Sequence, residues 1–137
     1  MKKYLFTITA FLVLFLFSCN SGKDKAATNT PNTVKFSNTT ISRLQNNQVC
    51  MVNNRFLNSV QIAVPINGKT YYGCCEGCVK TLNDDSSSRY IPDPFTGEEV
   101  DKAVAYIIGK PGTTEDVLYF KSEVNAKGYF DKYLKDK

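Results

Sequence analysis

Three of the five cysteines in this chain, Cys74, Cys75 and Cys78, crowd into one short stretch. Local patterning places that stretch at a junction between a hairpin and a helix. Val60 to Ile66 alternates apolar residues as a strand does, with Pro65 near its end. Asn67-Gly68 is a strong two-residue hairpin turn. Lys69 to Gly73 supplies the return strand and delivers the chain into Cys74-Cys75. Cys75 to Asn83 predicts a short helix, with Val79 and Leu82 at helical spacing. Residues three or four apart share a helix face, so Cys78 can converge with Cys75 or with Cys74. A helix N-terminus presents free N–H groups and positive potential, which favour a thiolate, the form that binds soft metal ions. A separate loop from Ile41 to Val52, closed by the Asn53-Asn54 turn signal, carries Cys50 and Met51. It adds another thiolate and a weaker thioether donor that is more often packing than ligand. Three or four sulfurs from two segments suit tetrahedral Zn(II) or low-coordinate Cu(I).

What the chain lacks narrows its chemistry. It has no histidine, which removes Ser-His-Asp and Cys-His catalysis, imidazole-ligated metal and any imidazole switch. The formal net charge is +4, and it falls to +2 without Lys2 and Lys3. That is too mild for a nucleic-acid partner, and no basic stripe with interleaved aromatics is present. There is no glycine-rich phosphate loop and no internal repeat.

The N-terminus reads as a targeting segment. Met1-Lys2-Lys3 is a short basic start, and Tyr4 to Phe17 is apolar apart from Thr7 and Thr9. A run of roughly 14 residues matches a signal-peptide core and falls short of the ~20 needed to span a bilayer. It ends in Leu16-Phe17-Ser18-Cys19, which resembles the lipobox of bacterial lipoproteins, although Phe17 is bulkier than the residue usual there. The resemblance implies cleavage after residue 18 and lipidation of Cys19, with two or more acyl chains making a stable anchor. Residues 1–18 are therefore expected to be a signal peptide. Residues 19–40, rich in Asn, Thr, Ser and Lys, would be the lipidated cysteine and a flexible tether. Asn20 is not the aspartate that retains such lipoproteins on the inner membrane, which favours the outer membrane, with the domain in the periplasm or at the cell surface.

Residues 41–137 should form one small α+β domain. Asp84 to Ser88 and Ile91 to Glu99, the latter with Pro92, Pro94 and Gly97, read as loops. Val100 to Ile108 reads as a strand, Lys110-Pro111-Gly112 as a turn and Val117 to Phe120 as another strand. Ser122 should cap a last helix running to about Leu134, with Val124, Phe130 and Tyr133 facing the core and Gly128 weakening its middle. The acidic residues Asp93, Glu98, Glu99 and Asp101 do not match calcium-loop spacing.

Val49-Cys50-Met51-Val52, followed by Gly68-Lys69-Thr70-Tyr71-Tyr72-Gly73-Cys74-Cys75-Glu76-Gly77-Cys78, resembles the treble-clef metal-binding modules called TRASH and YHS. Their pattern is a first cysteine, a spacer, and Cys-x3-Cys after an aromatic strand. Here 23 residues separate Cys50 from Cys74. Met51 follows Cys50 directly, where that group often has Gly-Met. The resemblance implies a treble-clef-like hairpin plus helix, with Cys50, Cys74 and Cys78 as ligands and Cys75 as a substitute or fourth. The lipid anchor, the Cys-Met pair and Val117 to Phe130 are also similar to small NosL-like lipoproteins that carry Cu(I), and the whole chain resembles MlpB-like lipoproteins. Both resemblances imply metal handling without turnover.

The expected function is thus a membrane-anchored protein that binds Cu(I) or Zn(II) for buffering, sensing or delivery in the cell envelope. Its partners would be the lipid bilayer and an envelope protein that gives or receives metal. Two other readings stand beside it. One is a disulfide-stabilised domain that binds another envelope protein. The other is a thiol–disulfide oxidoreductase using Cys75-Glu76-Gly77-Cys78.

Overall fold

A computed structural model describes residues 36–37 and 41–133. The chain divides into the units Met1–Pro31 and Asn32–Lys137, and every described residue belongs to the second. The expected signal segment, Cys19, most of the expected tether and Leu134 lie outside the described residues.

The fold is α+β, with four short antiparallel strand pairs and two α-helices among the described residues. β1 (Val49–Cys50) turns through Met51–Asn54 into β2 (Arg55–Phe56). Asn54 closes that turn at φ 54°, a left-handed conformation that asparagine tolerates better than most residues. Cys50 thus ends a strand that the sequence reading leaves as loop. β3 (Ile62–Ile66) and β4 (Lys69–Gly73) form the expected hairpin, with Asn67 at φ 49° and Gly68 at φ 75°. Two successive positive φ angles are what the preferred hairpin turn requires, and they pin the register Ile66↔Lys69 through Ile62↔Gly73. Tyr71 is the buried member of the tyrosine pair, and Tyr72 packs half-buried beside it.

α1 (Glu76–Asp84) follows two residues after β4 and buries Cys78 and Leu82, one helical turn apart. The segment expected as loop after it winds into a 3-10 turn, Ser86–Arg89, because the Asp85 carboxylate accepts from the Ser87 N–H at 2.9 Å.

Two expectations about the middle of the chain fail for reasons of long-range pairing. β5 (Tyr90–Pro92) and β6 (Glu99–Asp101) pair across what reads as proline- and glycine-rich loop. The long strand expected from Val100 to Ile108 is broken after Asp101. There the Asp101 carboxylate accepts from the Ala103 N–H at 3.0 Å, forming a local turn that competes with extension. The chain resumes as β7 (Tyr106–Gly109) and pairs with β8 (Val117–Phe120).

Strand alternation on this last pair divides the core. Ile107, Val117 and Tyr119 join Val49, Met51, Phe56, Val64, Tyr71 and Leu82 in the main cluster. Ile108 and Phe120 face the other way and pack with Ala126 of α2 (Glu123–Tyr133). Each fully buried large apolar side chain contributes about 1.5–3 kcal/mol, so the main cluster dominates stability. Ser122 caps α2 as expected, its hydroxyl accepting from the Asn125 N–H at 3.2 Å. Phe130 is buried as expected, but Val124 is 76% exposed and Tyr133 42% exposed, because the inward face runs through Ala126 and Phe130. Gly128 has a packing reason: a Cβ there would lie 2.8 Å from the Phe95 ring.

Candidate metal centre

Two backbone contacts bring the cysteine-bearing segments together. The Met51 N–H donates to the Tyr72 carbonyl at 2.9 Å, which lays the turn after Cys50 against the end of β4. Gly73 then lets the hairpin approach α1. A Cβ at this position would meet Cys78 Cβ at 3.0 Å and the backbone of Cys78 and Val79 at 3.2 Å. Glycine is needed here for close approach rather than for an unusual φ.

The sulfurs of Cys50, Cys74 and Cys78 all lie within 4.8 Å of one another, near enough to hold a metal ion. Cys78 is the hub, 3.7 Å from Cys50 Sγ, 3.6 Å from Cys74 Sγ and 3.7 Å from Cys75 Sγ. Its contacts with both Cys74 and Cys75 realise the two convergences that helical spacing allows. Cys75 touches the hub but lies outside the mutual set of three. All four described cysteines, Cys50, Cys74, Cys75 and Cys78, are free. Metal–sulfur bonds of about 2.3 Å put the sulfurs of a tetrahedral site about 3.8 Å apart, so the observed spacing and the soft donor set fit a thiophilic ion.

The site has an inner and an outer half. Cys50 and Cys78 are buried, whereas Cys74 and Cys75 are exposed. Burial raises the Cys50 thiol, but the backbone N–H groups of Asn53, Cys74 and Val52 outweigh it and hold its pKa below the ordinary value. Cys75 is the N-cap of α1 in extended conformation, φ −156° and ψ 170°. It forms no cap hydrogen bond of standard geometry, yet the N–H groups of Cys78 and Gly77 at the helix start favour its thiolate and lower its pKa. Burial and the neighbouring Cys50 thiolate raise Cys74. Burial, reinforced by Cys74, Cys75 and Cys50, pushes Cys78 up to about 12. Cys74 and Cys78 therefore hold their protons more tightly than Cys50 and Cys75 do. The helix N-terminus does not lower every thiol near it: Cys78 sits in the first turn, but three sulfurs crowd it.

Met51 is fully buried in the main apolar cluster, and its side chain is core packing there. Two residues that sequence reasoning passes over attend the site. Asn53 Nδ2 points at Cys74 Sγ at 3.7 Å and Cys78 Sγ at 3.9 Å. Lys102 is 4% exposed, and its ammonium donates to the Met51 carbonyl at 2.7 Å. Asn53 lies in a turn signal and Lys102 inside the strand expected from Val100 to Ile108, and nothing in the local pattern marks either one as part of the site. The acidic group offers no comparable centre. The two oxygens of Asp93 accept from the N–H groups of Phe95, Thr96 and Lys121 and from Asn125 Nδ2, so that carboxylate is committed to the fold.

No family model, no curated protein and no solved structure matches this chain. Among the described residues, no helix is long and apolar enough to cross a membrane.

Proposed function

We propose that this protein is a lipid-anchored envelope protein that holds a thiophilic metal ion, Cu(I) or Zn(II), at Cys50, Cys74 and Cys78, for buffering, sensing or delivery. The observation that carries the proposal is the mutual approach of three thiols from a strand end, a hairpin exit and a helix. Cys50, distant in sequence from Cys74 and Cys78, converges on them this closely because the Met51 N–H donates to the Tyr72 carbonyl and Gly73 lets the hairpin approach α1. The reading also takes in the lipobox-like Leu16-Phe17-Ser18-Cys19 and the likeness to TRASH and YHS modules.

Binding would displace the protons from Cys74 and Cys78, so affinity rises with pH. Cys50 and Cys78 would hold the ion from the interior and Cys74 from the solvent side. The Asn53 amide and the backbone N–H groups around Cys50 would orient and stabilise the sulfurs, as outer partners do in metal sites.

The test is titration of the full-length expressed protein, in detergent and under reducing conditions, with Cu(I) and with Zn(II) against a competing chelator. Stoichiometric binding is expected, lost in Cys50→Ser and Cys78→Ser. Fully reduced thiols that cannot compete with the chelator would sink the proposal and leave the disulfide-held interaction domain as the better account. The oxidoreductase reading rests on the 3.7 Å approach of Cys75 to Cys78 at a helix start. It requires thiol exchange with substrate at catalytic amounts.

A further inference from the structure

Cys75 has no place in the set of three, yet it is built into the site. Its sulfur lies 3.7 Å from Cys78 Sγ, on the exposed side of the cluster. The residue that would cover it is Gly77: a Cβ there would sit 3.8 Å from Cys75 Sγ, and the glycine leaves that space open. Cys75 also stands at the first position before α1, with extended backbone, so its side chain is not held inside a helical turn. A fourth sulfur that touches the buried hub, faces solvent and lacks cover on its open side has the geometry of a relay.

Building on the metal-binding reading above, we propose that Cys75 is the exchange ligand through which the metal enters and leaves. In this step the Cys75 sulfur forms a bond to a metal held by Cys50, Cys74 and Cys78. The metal–sulfur bond to Cys74 then breaks, and the departing Cys74 thiolate takes up the proton that Cys75 gives up, through water. The metal keeps its oxidation state and the site keeps its charge. The ion now rests on Cys50, Cys75 and Cys78, with its solvent side free for a thiolate of the acceptor. Cys74 and Cys75 are adjacent in sequence and both touch Cys78, so the shift needs side-chain motion but no rearrangement of the helix. The acceptor class that fits is a protein or small molecule presenting a soft sulfur donor.

The experiment loads the full chain with Cu(I) and mixes it rapidly with excess dithiothreitol, following loss of the ultraviolet copper–thiolate absorbance. Equilibrium affinity is measured separately against bicinchoninate. The expected result for Cys75→Ser is an affinity within about threefold of the unsubstituted protein but transfer slower by about tenfold. Cys74→Ser should lose affinity outright. Transfer by Cys75→Ser at the unsubstituted rate would overturn the proposal. So would a loss of affinity as large as that of Cys74→Ser, which would make Cys75 a permanent ligand. Failure of the unsubstituted protein to bind Cu(I) would instead remove the metal-binding reading on which the proposal rests. Cys75 is exposed, so serine there leaves the packing intact, and a circular dichroism spectrum checks this.

Discussion

The Lys102 ammonium donates to the Met51 carbonyl at 2.7 Å, in the peptide between Met51 and Val52, one residue beyond Cys50. No carboxylate pairs with this lysine among the described residues, and its electrostatic partner is Cys50. Burial lowers the lysine pKa, and the Cys50 thiolate pushes it back up. A buried ammonium in this place puts positive charge on the side of the cluster that holds Cys50. Lys102→Met keeps the volume and removes the charge. Losing the donor to a buried carbonyl costs about 1–3 kcal/mol, while removing a buried charge returns a similar amount. Stability to urea should therefore change by less than about 1 kcal/mol, while Cu(I) affinity falls about tenfold, or about 1.4 kcal/mol. Unchanged affinity in chelator competition would show that the lysine serves only the backbone.

Gly73 tests how closely the hairpin must approach α1. In Gly73→Ala the added methyl meets Cys78 Cβ at 3.0 Å, and backbone atoms of α1 cannot swing aside as a flexible side chain can. Overpacking of this kind costs about 1–3 kcal/mol. The strain falls between Cys74 and Cys78, so metal affinity should drop together with stability. A variant that loses stability but binds metal normally would mean that the sulfurs re-form their set independently of the hairpin–helix distance.

Where the fold was legible in the sequence, the signal was local. Asn67-Gly68 dictates two positive φ angles, and the hairpin and its register follow. Helical spacing brings Cys78 to both Cys74 and Cys75, and the Ser122 cap is a property of one turn. Where the reading went astray, pairing was non-local or helix phase decided. Tyr90–Pro92 becomes a strand only because Glu99–Asp101 returns beside it. Val124, expected to face the core, is exposed and Ala126 is buried instead, because the inward face of α2 is fixed by packing on Phe120 and Ile108. Lys102 carries no sequence mark of burial, since its surroundings come from Met51 and Tyr119, distant in the chain.

Asn53 gives a narrower test of the sulfur site. Its amide lies within N–H···S reach of both Cys74 and Cys78 but is exposed and outside the core. Asn53→Ala should leave stability within about 0.5 kcal/mol, as surface substitutions do. Metal affinity should fall several-fold, because one outer donor to two ligand sulfurs is gone. Measuring both quantities on one preparation separates this role from that of Gly73, where stability and affinity move together.

Asp93 gives the pH dependence away from the sulfur cluster. It is fully buried, and its Oδ1 accepts from the N–H groups of Phe95 at 2.8 Å and Thr96 at 3.3 Å. Its Oδ2 accepts from the Lys121 N–H at 2.9 Å and Asn125 Nδ2 at 2.8 Å, tying the Asp93–Glu98 loop to the start of α2. Burial alone would raise its pKa, but the Asn125 amide and the three backbone N–H groups together hold it below the ordinary carboxylate value. The folded chain therefore binds fewer protons here than the unfolded chain. This contribution is present above the unfolded pKa of about 3.9 and is lost as pH falls through the lower, folded value. Asp93→Asn turns an acceptor into a donor facing donors and should cost about 3 kcal/mol at neutral pH. The gap between the unsubstituted protein and the variant should close as the pH drops below about 4, while Asp85 and Asp101, whose pKa values are also lowered, titrate equally in both. Urea unfolding of metal-free, reduced protein across that range checks it. A gap that stays constant with pH would mean that the hydrogen-bonding shape of the Asp93 side chain, and not its charge, holds the loop.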